Sequence, residues 1–263
     1  MLPTKSRNRR RNRVATNFLR NAAFAVGVVF LWTAVLAPAT GRKSLSLRDL
    51  IAAQDEKVTV SLTDDAVGRI RQAYELVIES ARLGKDVYGL TVGVGHNKDT
   101  PVFDETGTLN PEAIKASEEF NRDILHSHAA SSGTPIPSKT IKMALIIRLS
   151  QIASGHVGCQ PIVAQFYVDF INANIMPVVA EDGSVGMSDI LPASHIGLSM
   201  IGDWEVFFRG GTSALRRCPE GSGPQTAGPP FAKDGLSILS NNALSTARLI
   251  SATERAGLQG PIS

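Results

Sequence analysis

The sequence predicts a mainly α-helical fold with a few small β elements and glycine-rich loops. The chain has 263 residues, 43% hydrophobic and 19% charged, which is the composition of a folded globular domain. Apolar residues recur at helical spacing in several long stretches, whereas only one short stretch alternates as a strand does. Glycine interrupts the stretches between the predicted helices, and these stretches are therefore predicted to be loops.

Residues 1–43 differ in character from the rest of the chain. Seven Lys and Arg residues lie in the first twenty, while the whole chain carries a formal net charge of only +3, so the remainder is mildly acidic. The uncharged stretch Ala22–Ala37 follows this cluster. Basic, apolar and small residues in that order are typical of a signal peptide or signal anchor, and predict export or membrane association through Ala22–Ala37.

The N-terminal segment has a competing interpretation. The apolar stretch is shorter than the ~20 residues that comfortably span a bilayer, so an upstream extension that does not belong to the protein is the competing interpretation. The basic cluster does not extend into the body of the chain, so a nucleic-acid partner is not predicted.

Cys159 and Cys218 lie outside any CxxC or CxxH pattern, and no metal site is predicted.

Residues 44–263 are predicted to form one mainly helical domain. Val58–Leu62 alternates as a short strand, and Thr63 is the predicted N-cap of a helix that ends at Gly84. Apolar spacing predicts further helices over Pro111–Leu125, from the N-cap Ser138 to Gly155, around Ile162–Ile171, over Ile196–Ile201 and over Leu236–Leu249.

Two glycine-containing loops hold residues with chemical potential. One is Tyr88–Asp99 (YGLTVGVGHNKD), and the other begins the segment Gly183–His195 (GSVGMSDILPASH), in which Ser188 comes directly before a predicted helix. Taken by themselves, Ser188 is a helix N-cap and Tyr88 is an ordinary half-buried aromatic residue.

Five segments in one order change that interpretation. GSVGMSDILPASH resembles GSVGASGDLAPLAH, and YGLTVGVG resembles YGxxTGFG. FNRDILHSHAA resembles LQxNLLxSHAAG, KDGLSILSNN resembles KEGLALINGT, and MALIIRLSQIASG resembles an arginine-bearing helix that ends in Ala-x-Gly. These are motifs of the aromatic amino acid ammonia-lyases, and the resemblance, strongest to the histidine type, covers roughly Val58–Ala252. It implies the front half of the fumarase/aspartase-like helical fold, with 44–263 as a truncated lyase domain.

The resemblance implies non-oxidative elimination of ammonia from histidine or another aromatic amino acid, giving an α,β-unsaturated acid. Family members use a methylideneimidazolone, an electrophilic ring that forms from three consecutive residues of the chain itself. Here those residues are Met187, Ser188 and Asp189, with Ser188 as the source of the methylidene carbon. Tyr88 matches the catalytic base, and backbone N–H groups of its loop are expected to stabilise the phenolate.

The same resemblance assigns the substrate contacts and the assembly. Ser127 and His128 match a pair that binds an imidazole ring, and Asn241 matches a substrate-binding amide. The alternative for His128 is a hydrogen-bonded histidine at a helix end. The family forms homotetramers and is cytoplasmic, which conflicts with export or anchoring by the N-terminal segment.

Three features depart from the family pattern. The serine loop is one residue shorter, so Asp189 stands in the third ring position, where the family has glycine. Asn-Gly-Thr is replaced by Ser240-Asn241-Asn242, so that either Asn241 supplies the amide one residue along or Ser240 occupies its position and bonds more weakly. The chain has about half a family member's length. We therefore expect helices Ile141–Ile152 and Leu236–Leu249 to expose apolar faces. The alternative function is a degenerate, non-catalytic relative that binds an amino acid or partners with a full-length lyase.

Overall fold

The computed structural model describes residues 45–54, 57–95, 112–184, 188–208 and 230–257 in full, and residues 28–32, 111 and 214–215 by their backbone. Helices dominate these residues, as predicted. They are α1 Leu47–Ala52, α2 Asp64–Arg82, α3 Pro111–His128, α4 Ser138–Ala153, α5 Pro161–Asn172, α6 Ile190–Met200, α7 Asp234–Leu239 and α8 Ala243–Arg255.

The strands are short and lie around the helices. They are β1 Val28–Trp32, β2 Val58–Leu62, β3 Ser132–Pro135, β4 Met176–Pro177, β5 Ala180–Asp182, β6 Val206–Phe207 and β7 Ala214–Leu215. They form three antiparallel sheets, in which β1 pairs with β2, β3 pairs with β5, and β6 lies between β4 and β7. The predicted strand at Val58–Leu62 is confirmed.

Helix α4 is the centre of the fold. Helices α1, α2, α5 and α8 pack around it, and its residues are buried on every side, including Ile141, Leu145 and Leu149. The expectation that Ile141–Ile152 exposes an apolar face is therefore wrong, because the described residues already cover it. Ser138 is its first helical residue and Pro137 takes the N-cap position, so the prediction of Ser138 as the cap is also wrong.

The predicted helix Leu236–Leu249 is two helices. Ser240 leaves the helical conformation with ψ 82° and ends α7, and the side-chain oxygen of Asn241 accepts a hydrogen bond from Ala243 N–H at the start of α8. Helix α8 buries Ala243 and Ile250, while Leu249 is 64% exposed. The expected exposed apolar face is thus limited to part of α8.

The other helix limits follow local signals. Thr63 accepts a hydrogen bond from Ala66 N–H and caps α2, and Gly84 adopts φ +66° just past its end. Helix α3 extends three residues beyond the predicted Leu125. Helix α6 begins at Ile190, before the predicted Ile196, because Pro192 lies in its first turn, where proline is tolerated.

The N-terminal apolar stretch lies largely outside the described residues. Of Ala22–Ala37, the structure describes Val28–Trp32, which pairs with β2 as an antiparallel strand. Within the described part of the chain, no helix has the length and apolar character needed to cross a membrane.

Candidate active site

The tyrosine loop, Tyr88–Gly95, places a hydrogen-bond donor on the Tyr88 hydroxyl. The backbone N–H of Gly95 donates to Tyr88 Oη at 2.7 Å, and the Tyr88 residue is 45% exposed. This contact fixes the position of the phenolic oxygen relative to the loop backbone. The loop therefore contains the backbone donor that the sequence predicts for a tyrosine base.

Apolar contacts attach the tyrosine loop to the start of α7. Leu90 is fully buried in a small cluster with Ile78 and Ala232. Gly89 has φ +77°, and a Cβ at this position would lie 2.6 Å from Leu236 Cδ2. Glycine is required here both for its backbone angle and for the close approach of Leu236.

Buried polar side chains hold the start of α7 in place. The Asp234 carboxylate accepts hydrogen bonds from Gln160 N–H at 2.8 Å, Gln160 Nε2 at 2.7 Å and Phe231 N–H at 3.1 Å. Burial raises the pKa of Asp234 to about 6. Asn121 of α3 accepts from Gly235 N–H at 2.6 Å and donates to the Ala232 carbonyl at 2.8 Å. The sequence motifs contain Asn121, Asp234 and Gly235, but the contacts between them and the residues outside the motifs were not predicted.

The junction between α7 and α8 is fixed from α4. Arg148, which is buried, donates to the Ser237 carbonyl and, through Nη1, to Gln151 Oε1 at 2.8 Å. Gln151 Nε2 in turn donates to Asn242 Oδ1 at 2.9 Å. The arginine-bearing helix of the sequence motif thus supports the segment to which both loops are attached.

The serine loop, Gly183–Asp189, is attached to α8 through one carboxylate. Asp189 is 1% exposed and accepts hydrogen bonds from Ser245 N–H at 2.9 Å, from the Ser245 hydroxyl, and from the Ser184 hydroxyl at 3.2 Å. Asp189 also occupies the N-cap position of α6. Its negative charge therefore lies at the N-termini of two helices, where the helix dipoles stabilise it.

Ser188 takes an unusual backbone conformation. Ser188 has φ +62°, a left-handed conformation that is uncommon for residues other than glycine. The N-cap position of α6 belongs to Asp189, so the purely structural interpretation of Ser188 as the N-cap is wrong. Met187, the first predicted ring residue, lies outside the described residues.

Asp189 does not fit the third position of the methylideneimidazolone ring. Ring closure requires the backbone nitrogen of the third residue to turn onto the carbonyl carbon of the first. In this chain that nitrogen belongs to Asp189, and its N–H donates to the Asn241 carbonyl at 2.6 Å. The Asp189 side chain is held by donors from Ser184 and Ser245, so closure would require this buried carboxylate to leave its partners.

The side-chain amide of Asn241, the predicted substrate amide, is used inside the helix junction. Its Nδ2 donates to the Ile238 carbonyl at 2.7 Å, and its Oδ1 accepts from Ala243 N–H at 2.9 Å. The main chain of Asn241 nevertheless contacts the serine loop through Asp189. The residue is thus next to the predicted site, with its amide engaged in capping α8.

Ser127 and His128 lie together at the C-terminal end of α3. The Ser127 hydroxyl lies 3.1 Å from His128 Nδ1, and the Ile124 carbonyl lies 2.8 Å from the same nitrogen. A carbonyl can only accept, so Nδ1 carries the proton and Nε2 is the nitrogen able to accept from a ligand. The interpretation of His128 as a hydrogen-bonded residue at a helix end agrees with this contact, which leaves its second nitrogen available.

His195 is a buried residue near the serine loop that sequence reasoning missed. Ser131 N–H donates to His195 Nε2 at 3.3 Å, and the Trp204 ring lies 4.3 Å from the imidazole. Burial lowers the pKa of His195 to about 4, so the ring is neutral near pH 7. Its place at the end of GSVGMSDILPASH is the sequence signal that could have identified it.

Comparison with known proteins agrees with the fold and the motif order. A profile described as aromatic amino acid lyase matches residues 45–258. Histidine ammonia-lyase from Halalkalibacterium halodurans is 31% identical over 210 residues, covering 78% of this chain and 38% of that protein. The chain therefore spans about two fifths of the length of such relatives.

Two solved structures with similar folds are also aromatic amino acid lyases or related enzymes by their names. An ergothioneine-degrading enzyme, ergothionase from Treponema denticola, was solved in complex with desmethyl-ergothioneine sulfonic acid. It superposes with a TM-score of 0.74 at 33% identity, covering 82% of this chain and 41% of its own. Histidine ammonia-lyase from Trypanosoma cruzi superposes with a TM-score of 0.68 at 26% identity, covering 81% of this chain and 40% of its own.

Proposed function

This chain belongs to the aromatic amino acid lyase family, and on that premise we propose that it binds an imidazole-bearing amino acid and eliminates its amine. The products are an α,β-unsaturated acid and the free amine. Its relatives named histidine ammonia-lyase support histidine as the parent substrate, with ammonia as the amine released. The ergothioneine-degrading relative extends the proposal to histidine derivatives.

The hydrogen bond from Gly95 N–H to Tyr88 Oη is the observation that carries this proposal. Elimination requires a base for a weakly acidic hydrogen on the β-carbon, and a phenolate is a strong base near neutral pH. A backbone donor at 2.7 Å stabilises the negative charge of such a base. The half-exposed Tyr88 is open to a substrate, unlike the fully buried Tyr167.

Ser127 and His128 support the choice of an imidazole ring. His128 Nε2 can accept a hydrogen bond from a substrate ring nitrogen, and the Ser127 hydroxyl can donate or accept. Polar groups of this kind favour a substrate that satisfies them, because an apolar ring would leave them unpaired. Asn241 contributes to the site through its main chain, which contacts Asp189.

The methylideneimidazolone is not part of the proposed reaction, because Asp189 does not fit the ring. That observation favours a second candidate function, a non-catalytic relative that binds an amino acid or partners with a full-length lyase. The homotetramer implied by the family is also a proposal, as is export or membrane association through Ala22–Ala37.

Binding of the elimination products tests the proposal without reference to the amine. We expect calorimetry to show that urocanate, which contains an imidazole, binds at least ~10-fold more tightly than cinnamate. The double variant Ser127→Phe/His128→Leu should remove this preference, whereas His126→Leu, which alters the exposed neighbouring histidine, should retain it. Equal affinity for the two acids would overturn the proposal. Binding of urocanate with no turnover of any imidazole amino acid would favour the non-catalytic candidate.

A further inference from the structure

We propose that one edge of strand β2 is a docking site for the apolar N-terminal segment of this chain, and that docking there withholds the segment from a membrane. The observation behind this inference is the antiparallel pairing of β1, Val28–Trp32, with all five residues of β2. Strand β1 lies inside the uncharged stretch Ala22–Ala37, whose sequence pattern predicts a signal peptide or anchor. The inference is independent of the proposed elimination reaction.

The edge of β2 that faces the helices is closed by side chains. The amide of Asn172, the last residue of α5, accepts a hydrogen bond from Val60 N–H at 2.7 Å and donates to the Val60 carbonyl at 2.9 Å. Lys142 of α4, which is buried, donates to the Val58 carbonyl at 3.2 Å. Asn172 thus supplies the two hydrogen bonds that a neighbouring strand would supply, and this edge of β2 is not available to a strand.

The opposite edge of β2 receives β1. Alternate residues of a strand direct their N–H and C=O groups to opposite edges, so the backbone groups of Thr59 and Ser61 point away from the helices. Their partners in the register are Leu31 and Val29. These two pairs are therefore the hydrogen-bonded pairs of the ladder. Without β1, this edge would present unpaired backbone groups, which is a known risk for aggregation.

Docking on β2 and insertion into a membrane require different backbone conformations. The core of a bilayer offers no hydrogen-bond partners, so a single inserted segment must make its backbone hydrogen bonds within itself, as a helix. Residues Val28–Trp32 are instead extended and pair with β2. The stretch Ala22–Ala37 is also shorter than the ~20 residues that comfortably span a bilayer. Membrane association of this segment would therefore require β1 to leave β2.

Two double-proline variants of β1 separate docking from apolar character. Val29→Pro/Leu31→Pro, the docking variant, removes the N–H donors of the two hydrogen-bonded pairs. Val28→Pro/Phe30→Pro, the control variant, removes N–H groups directed away from β2, where an edge strand tolerates proline. In the described part of the chain, β1 has no strand neighbour other than β2. Each variant replaces two apolar residues of one segment by proline, so their affinities for a bilayer should be similar.

Amide hydrogen exchange and vesicle binding are measured on the full chain, made by cell-free translation so that residues 1–43 stay attached. We expect the amides of Thr59 and Ser61 to exchange at least ~10-fold more slowly in the native chain and in the control variant than in the docking variant. With phosphatidylcholine vesicles added, the native chain and the control variant should stay in solution after sedimentation. The docking variant should sediment with the vesicles.

The native chain by itself can overturn the inference, whether or not the variants fold. Rapid exchange of the Thr59 and Ser61 amides, with the amides of α4 still protected, would show that β1 is not docked on a folded body. Sedimentation of the native chain with vesicles would show that docking does not withhold the segment. Equal behaviour of the two variants, or loss of protection in the docking variant without vesicle binding, would also contradict it.

Discussion

The two glycine-containing loops of the site are attached to one segment of chain by different forces. Apolar contacts hold the tyrosine loop on α7, where Leu90 is buried and Gly89 lies against Leu236. Hydrogen bonds to one buried carboxylate hold the serine loop on α8, where Asp189 accepts from Ser245. The apolar contacts do not involve the Tyr88 hydroxyl, which accepts from Gly95 N–H, whereas the polar attachment engages the backbone nitrogen of Asp189.

This difference separates what each loop leaves available for chemistry. The tyrosine loop retains its glycines and its donor to the phenolic oxygen. In the serine loop, the residue after Ser188 is Asp189, whose side chain connects the start of α6 with α8. Perturbing each loop separately should therefore give effects of different size and pH dependence.

Removing the Asp189 carboxylate should have the largest effect. Asp189→Ala removes the charged acceptor of the Ser245 N–H, the Ser245 hydroxyl and the Ser184 hydroxyl, and we expect the lost hydrogen bonds together to cost about 4 kcal/mol in the free energy of unfolding. Asp189→Asn is the matched control, because it keeps the shape and one acceptor oxygen and should lose less. Urea unfolding measures both, and an alanine variant as stable as the native chain would show that the polar attachment is unimportant.

His195, which lies near the serine loop, should make the free energy of unfolding depend on pH. Burial lowers its pKa to about 4 from the ordinary 6.5, so the unfolded chain binds the proton first as the pH falls. Stability should therefore decrease between pH 6.5 and 4, by up to about 3.5 kcal/mol. Urea unfolding of the native chain and of His195→Gln across this pH range measures how much of the loss in stability comes from His195. His126→Gln, which changes an exposed histidine, is the control. A constant difference between native chain and His195→Gln would contradict the assignment.

Asp234, which lies near the tyrosine loop, should change the free energy of unfolding with pH in the opposite direction. Burial raises its pKa to about 6 from 3.8, so the folded chain holds the proton more tightly than the unfolded chain does. This contribution to stability is present below pH 4 and is lost as the pH rises to 6, with a difference of about 3 kcal/mol. Unfolding of Asp234→Asn at each pH should lack this dependence, whereas Asp169→Asn, on the neighbouring helix α5, should keep it. If the free energy of unfolding changes with pH equally in the native chain and in Asp234→Asn, this contribution of Asp234 is ruled out.

Gly89 should give the smallest of these effects. Gly89→Ala forces a side chain into a left-handed backbone and against Leu236, at a cost of about 2 kcal/mol. Gly84→Ala is the matched control, since Gly84 also has a positive φ but no atom within 4 Å of the added Cβ. Thermal unfolding should show the larger loss for Gly89→Ala. Equal losses would mean that the close contact between this loop and α7 contributes nothing.

Local signals in the sequence were enough to predict much of the fold. Thr63 and Gly84 mark the limits of α2 because a cap hydroxyl and a left-handed glycine act within a few residues. Helix α4 was harder, because the elements that cover it come from distant parts of the chain. Its Lys142 is buried and donates to the Val58 carbonyl at 3.2 Å, a partner that lies 84 residues away in the chain.

The parts of the site that were missed depend on contacts between distant segments. Apolar spacing continues through Ser240-Asn241-Asn242, and the break there is accompanied by a contact of Asn241 with Asp189. The role of Asp189 depends in turn on Ser245, which is 56 residues further along the chain. Motif order predicted which segments belong to the site, but it contained no information on which atoms within them are already paired.

The mass of the serine loop tests the central claim most directly. The claim is that Asp189 holds this loop in an ordinary, uncyclised backbone. Mass spectrometry of a proteolytic peptide that contains Gly183–Asp189, taken from the purified full chain, should give the mass of the unmodified sequence. A peptide lighter by two waters, with the loss located at Met187–Asp189, would contradict the account.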